Sequence, residues 1–402
     1  MATKNKVLSQ KSFILLFIGI LLISANLRAP ITAVGPLSKI LNQEMNLSNA
    51  WVGMLTTLPL LAFAVISPLV ASVAGKFGNE RTLFASMLFL TLGIALRSYR
   101  ANDGCLFIGT LIIGVAVAFG NVLLPSFIKE RLPEKIGVMT GAYTVVMSLF
   151  AGLGSGLSIP IERGTSFGWR GSLMVWGLLS LAAVIVMLPL LHAKQRQPAP
   201  AGGQRRPTLF FSKKLLTSPL AWYVTLFMGL QSLLFYVLMA WLPSILVSDG
   251  YRASQGGWMI LVLQIISLPA SFLAPVLASR RQSQTGLAVF ASVLYVIGFA
   301  GMLSGKWMIL WIIFLALAGG ALISLALLFF TLRTHTAQQA AELSGMGQSG
   351  GYLLAALGPV FLGFLHDLTG GWLVPEIILT FLSLIMLVAG SRAGKNKYVE
   401  SH

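Results

Sequence analysis

The sequence runs to 402 residues, of which 56% are hydrophobic and only 10% charged. A soluble globular domain carries about 25% charged residues to keep its surface wet, so a chain this apolar turns most of its outside to lipid. The formal charge of +17 would suit nucleic acid. Its basic residues, however, fall in short breaks between apolar runs and form no face interleaved with stacking aromatics, so no nucleic acid partner is expected.

A hydrocarbon core about 30 Å thick needs about 20 apolar residues at helical rise, and twelve such runs are predicted. They are too long and too uniformly apolar for the short alternating strands of a membrane barrel. The first covers 12–34, after Lys4, Lys6 and Lys11. It continues past Pro30 without a small-residue cleavage pattern, so it reads as a retained helix rather than a secretory signal. Asn26 and Arg28 lie inside it, Arg28 about 16 residues in, roughly 24 Å along the rise. An arginine at the centre of a membrane helix costs about 2.5–3.5 kcal/mol on insertion scales, so its side chain is expected to face a cavity or a partner. The guanidinium fork suits a carboxylate, cyanate or nitro oxygen. The structural alternative is that Arg28 satisfies carbonyls freed by Pro30, or snorkels outward.

Runs at 51–75, 82–100, 105–128, 138–161 and 171–191 complete a first set of six. The fourth run carries Asn121 directly after Gly120, with Pro125 four residues on. Asn121 then either reaches a cavity beside a bend or bonds a neighbouring helix. Tyr143 stands on the fifth run, where Gly152, Gly154 and Gly156 are expected to allow close helix contact. Cys105 is the only cysteine, so neither an intrachain disulfide nor a cysteine metal site is expected, and no metal, cofactor or catalytic residue is assigned.

Residues 192–218 form a polar break, and Gln195–Pro207 reads as a flexible cytoplasmic linker rich in Pro, Gly and Arg. The expected division is a six-helix bundle over 1–191, the linker over 192–218 and a second bundle over 219–402. Runs at 219–247, 255–279, 285–303, 307–332, 343–366 and 372–391 make up the second set. On the seventh run, Gln231 and Phe235 share a face four residues apart, with Tyr236 beside them. Such a group suits a flat, weakly polar substrate. Trp241, nearer the end, reads as an interface anchor. Gln264 lies mid-run on the eighth, and Gln348 and Tyr352 on the eleventh, where Gly345, Gly350 and Gly351 again suggest close helix contact. No Lys-Ser/Thr follows these glycines, so they are not a phosphate loop.

With the N-terminus in the cytoplasm, inner segments hold most of the 28 basic residues, as the positive-inside rule requires of an even span count. Arg97 and Arg100 fall to an outer loop in this count, and Lys129 and Arg131 to an inner one. The two sets also repeat each other. Pro36, Trp51 and Pro68 recur 207 positions later as Pro243, Trp258 and Pro275; Gly141, Ala151 and Gly154 recur 204 positions later as Gly345, Ala355 and Gly358. Lys129 meets Arg333 in the matching loop. An ordered set of matches like this indicates internal duplication, and parallel six-helix repeats hold substrate between the halves near the midplane.

The segments NLRAPITAVGPL (26–37), GMLTTLPLLAFAVISPL (53–69), GNVLLPSFIKERLP (120–133) and ELSGMGQSGGYLLAALGP (342–359) resemble the cyanate porter branch of the major facilitator superfamily. Within it they sit nearer the nitroimidazole-transporting members than the cyanate-transporting ones. The resemblance covers nearly the whole chain and implies a single-chain secondary carrier with the all-α, twelve-helix major facilitator fold. In the loop where the superfamily carries Gly and Asp ahead of a basic cluster, this chain has ASVAGKFGNER (71–81), with Ala71 and Gly75 in those places. The charge pair usual in that loop is therefore not expected.

No acidic residue falls clearly mid-run, so the buried carboxylate that commonly relays protons is missing from the pattern. Protons as coupling ion would have to use the substrate itself, Glu162, or His366 beside Asp367. A membrane enzyme would cluster His, Asp, Glu or Ser within the runs, a channel would show filter-like loops, and an ATP-driven pump a Walker loop; none is present. The expected function is alternating-access transport of a small organic solute across a bacterial inner membrane by a monomer with both termini inside. Uptake of a small anion, which Arg28 favours, and multidrug-type efflux of neutral compounds, which the aromatics favour, both stay open.

Overall fold

Proline decides where the first helix stops. In the computed structural model, which describes residues 10–47, 49–99, 103–192 and 211–399, α1 (Gln10–Asn26) ends four residues before Pro30. The proline ring would clash with the Asn26 carbonyl, and it has no N–H to offer in return. Arg28 stands in the gap with non-helical backbone (φ −126°, ψ −44°), and a four-residue helix, Ala29–Thr32, restarts with Pro30 in its first turn. A 3-10 turn, Gly35–Leu37, and a short helix, Ser38–Met45, carry the chain onward. The unbroken run expected over 12–34 is thus interrupted at the residue that singled it out.

Eleven long helices follow. They are α2 (Asn49–Phe77), α3 (Asn79–Arg97), α4 (Asp103–Arg131), α5 (Ile136–Gly164), α6 (Gly168–His192) and α7 (Pro219–Ser248), then α8 (Ala253–Ser279), α9 (Thr285–Met302), α10 (Met308–Leu332), α11 (Ala337–Thr369) and α12 (Leu373–Ala393). Among the described residues there is no strand. Eleven segments, counting the broken first one, are long and apolar enough to cross a membrane; α3 completes the twelve, with Glu80 in its first turn and Arg97 in its last. Three boundaries move relative to the sequence reading. Arg97 belongs to a helix and is only 1% exposed rather than lying in an outer loop. Lys129 and Arg131 close the last turn of α4. Helix α11 runs 33 residues and takes in Glu342, His366 and Asp367. The stretch Gln195–Pro207, Lys4, Lys6 and Arg100 lie outside the described residues.

Two seams join the first six helices to the second six, and they repeat each other. Helix α5 crosses α8 at Gly141, where an added Cβ would lie 2.7 Å from the Phe272 carbonyl oxygen. Helix α11 crosses α2 at Gly345, where it would lie 2.7 Å from the Ser67 carbonyl oxygen. One turn on, Thr144 Oγ1 donates to the Ser271 carbonyl at 3.2 Å, and Ser349 Oγ to the Ala64 carbonyl at 2.6 Å. Within each half, Gly154 lets α5 reach Ala29 and Thr32, and Gly358 lets α11 reach Leu233 and Val237 of α7. The glycine pairs that the 204-residue offset picked out therefore occupy matching contacts.

Both seams lie towards the end of the bundle that carries Lys76, Lys129, Arg131, Arg280 and Arg333, here termed the basic end. Three further side chains close it. Lys129 Nζ donates to the carbonyls of Thr331 (2.5 Å) and Thr334 and to Thr334 Oγ1 (3.0 Å), where α10 ends; a cation there suits the negative end of the helix dipole. Ser126 Oγ donates to the Ala337 carbonyl at 2.7 Å. Gln338 Nε2 donates to the Ala71 carbonyl at 3.1 Å and lies against Gly75. An amide on a backbone carbonyl thus stands where the family resemblance placed a charge pair. Glu80 pairs instead with Arg131, inside the first half.

Away from the basic end two glycines of α5 face open space. A Cβ on Gly152 or Gly156 would meet nothing within 4 Å, so the close contact expected at these two glycines does not occur. Glycine spacing marks a helix face but not what stands opposite it. Gly350 and Gly351 do meet Thr225 and Met228 of α7.

Candidate functional site

The broken α1 delivers Arg28 to a cavity between the halves, walled by α5, α7, α8, α9 and α10. Its Nη1 donates to the Tyr236 hydroxyl at 2.7 Å, and its guanidinium carbon lies 5.8 Å from the centre of that ring. The bond spans the cleft, since Tyr236 belongs to α7 of the second half. In place of the two structural alternatives, a carbonyl freed by Pro30 or an outward snorkel, the side chain lines the cavity and bonds Tyr236.

Helix α7 supplies one wall from consecutive turns. Gln231, Phe235 and Tyr236 all line the cavity, as residues four or five apart on one helix face do. Phe235 meets Tyr236 edge-to-face, with centroids 5.6 Å apart and planes at 82°. Gln231 is buried and its Oε1 has no protein partner. Gln264 completes the polar set from α8. Of the ten residues expected at the site, these five (Arg28, Gln231, Phe235, Tyr236 and Gln264) line the cavity.

The other five stand behind it. Asn26 ties α1 to α6, its Nδ2 donating to the carbonyls of Leu22 (2.8 Å) and Leu179 (3.2 Å). Gln348 Nε2 donates to the Asn121 carbonyl at 2.8 Å and to Ser344 Oγ at 2.9 Å, which joins α11 to α4 across the halves. Asn121 enters that bond through its backbone, and Gly120 makes room for Leu27 rather than simply bending α4. Tyr352 packs against Phe63 of α2 with the ring planes tilted at 59° and centroids 4.7 Å apart. Tyr143 is buried with its hydroxyl unpartnered in the protein. Trp241 is not among the lining residues; its Nε1 donates to the Pro359 carbonyl of α11 at 2.8 Å.

Sequence reasoning missed several groups. Arg97 is fully buried, and its Nη1 donates to the Pro30 carbonyl at 2.7 Å, while Nε and Nη2 have no protein partner. It braces the turn that positions Arg28. Its place at the edge of an apolar run hid it among loop residues. Tyr295, from α9, lines the cavity with Ser148, Ser267 and Ser271; a lone tyrosine in a uniform apolar run was the available signal. Gly320 packs against the Ser267 backbone, bringing α10 onto α8, and Gly319 beside it stays on the cavity wall.

Chemically, the cavity offers one cation, two carboxamides, two phenols, a phenyl ring and small hydroxyls on an otherwise aliphatic wall. Arg28 is the only charged side chain among the described residues that line it. Such a site can hold a flat solute by stacking and fix one electron-rich oxygen by the guanidinium.

Comparison with known proteins bears on the family and the fold. The family model described as Major Facilitator Superfamily matches residues 16–359. The chain is 44% identical to the uncharacterized transporter YycB of Bacillus subtilis (strain 168), over 96% of this chain and 94% of that one. It is 40% identical to the 2-nitroimidazole transporter of Escherichia coli (strain K12), over 98% of each. Identity to the cyanate transport protein CynX of the same organism is 25%, over 88% of this chain and 91% of that one. In fold it is similar to the proton:xylose symporter XylE, with TM-score 0.78, 13% identity and 98% of each chain covered. A second fold match is FucP in the outward conformation, with TM-score 0.74, 15% identity and coverage of 93% and 97%.

Proposed function

Since this chain belongs to the Major Facilitator Superfamily, and so moves small solutes across a membrane as a secondary carrier, we propose that its substrates are small planar compounds bearing an electron-rich oxygen, such as nitro-heterocycles, cyanate-like anions and aromatic carboxylates. One observation carries this reading: the single charge among the described lining residues, Arg28, is presented on an unwound turn and bonded across the cleft to Tyr236, beside a phenyl ring and two carboxamides. The 2-nitroimidazole and cyanate transporters among its relatives support the same class. Multidrug-type efflux of neutral compounds draws its support from the Phe235 and Tyr236 rings and the aliphatic remainder of the wall.

The positive-inside rule supports setting the basic end, with both termini and the 192–218 linker, in the cytoplasm of a bacterial inner membrane. The units 1–191 and 219–402 then work as the two rocking halves of a monomer, and the seams at Gly141 and Gly345 make this the outward-facing state. Thermal-shift binding with 2-nitroimidazole, cyanate and 4-hydroxybenzoate, followed by flux of each binder into vesicles, tests the substrate class. Arg28→Ala is expected to abolish flux while the protein stays folded in detergent; unchanged flux would reject the role given to Arg28.

A further inference from the structure

We propose that this carrier is an obligate exchanger: it crosses the membrane loaded with an anion in either direction and does not return empty. The inference rests on the substrate reading above and follows from the charge balance of the cavity. Arg28 is the sole charge on the described lining, and its partner there is a phenol, not a carboxylate. The nearest acids by sequence lie at helix ends and are engaged there: Glu80 with Arg131, and Glu44 accepting from Trp169 Nε1 at 2.9 Å. Arg97 adds a second buried guanidinium beside the same turn, held by a backbone carbonyl and equally without an acid.

Alternating access requires an intermediate with both ends shut. In the state described here the basic end is already sealed by the two seams and Lys129, so the opposite end is the one that must close. Closing that end over an empty cavity would strip water from a guanidinium that no carboxylate neutralises. Drying an unpaired ion costs many times thermal energy unless a counter-charge is present. A carrier with an acid in its cavity can meet this need by ion pairing in the empty state; here the substrate must supply the negative charge. A bound anion takes the guanidinium fork, displaces the Tyr236 hydroxyl, and leaves a neutral complex free to rock. The Arg28–Tyr236 bond thus belongs to the waiting state. Because one anion leaves for each that enters, exchange carries no net charge and is indifferent to membrane potential.

The test uses the full-length protein in liposomes at pH 8, with isotope-labelled 4-hydroxybenzoate outside and uptake into protein-free liposomes subtracted. One set contains unlabelled 4-hydroxybenzoate, the other isosmotic sucrose. Exchange predicts uptake at least tenfold faster into the anion-loaded set. It also predicts that an inside-positive potential, set with valinomycin and a potassium gradient, fails to start uptake into the sucrose set. Initial rates within twofold of each other in the two sets, or uptake into sucrose driven by the potential, overturn exchange and leave the substrate class standing. Absence of uptake in both sets overturns the aromatic-carboxylate part of the substrate reading, and exchange of that anion falls with it.

Discussion

A single methyl group at Gly141 measures how far the seams set the conformation. In Gly141→Ala the new Cβ would sit 2.7 Å from the Phe272 carbonyl oxygen and 3.0 Å from its ring, so the α8 backbone must give way. Overpacking of this kind costs about 1–3 kcal/mol. The helix-propensity gain of alanine, about 1 kcal/mol, applies in both states and cancels. The clash exists only while the basic end is shut, so the balance moves towards the state open at that end by about 5–150-fold. Gly345→Ala acts on the other seam, through Ser67 and not Phe272, so the two effects should add. Nitroxide labels at Lys76→Cys and Arg281→Cys, both exposed at the basic end on opposite halves, report the opening by pulsed electron resonance in a Cys105→Ser background. A longer-distance population should grow in each single variant and dominate in the double. Identical distance distributions in all four proteins, with melting temperatures unchanged, would refute the claim that these contacts hold the halves together.

Four further outcomes are expected. Arg28→Lys keeps the charge and loses the fork, so 4-hydroxybenzoate binding should weaken by about 1.5–3 kcal/mol, read by calorimetric titration. Arg97→Met should melt no lower than the parent, because well-packed replacement of a buried ion is often neutral or stabilising, while flux falls as the Pro30 turn loosens; equal flux would show that the turn needs no brace. Lys129→Met removes the cation from the end of α10 and should enlarge the same long-distance population as Gly141→Ala. The fourth concerns Asp249, just past the end of α7, whose carboxyl burial raises above its usual range. An acid with a raised folded-state pKa opposes folding once ionised, so Asp249→Asn should raise the melting temperature at pH 7–8, and the difference should shrink as acid protonates the parent. A difference that grows towards low pH would contradict this.

The twelve-helix plan was legible because lipid imposes long apolar runs, and the repeat because glycines at the seams admit no substitute. Arg28 was legible for the same reason in reverse, as an ionisable group within an apolar run. Arg97 was not: at the edge of its run it looks like a loop residue, and only the fold shows the Pro30 carbonyl it serves. The closure of the basic end was equally hidden. Lys129 acts on carbonyls some 200 positions away, and backbone acceptors leave no mark in a sequence. Asn121 failed as a side-chain reading because its carbonyl does the bonding. Gly152 and Gly156 failed because spacing cannot say whether a neighbour is present.

The break in α1 has a mechanical consequence. A guanidinium rooted in continuous helix could shift only by turning the whole rod against its neighbours. Rooted in a hinge, with Asn26 clamping one side to α6 and Thr32 Oγ1 clamping the other to the Ala151 carbonyl of α5 at 2.9 Å, it can follow a departing ligand by local torsion alone. The membrane scaffold can then stay rigid while the part that senses charge remains supple.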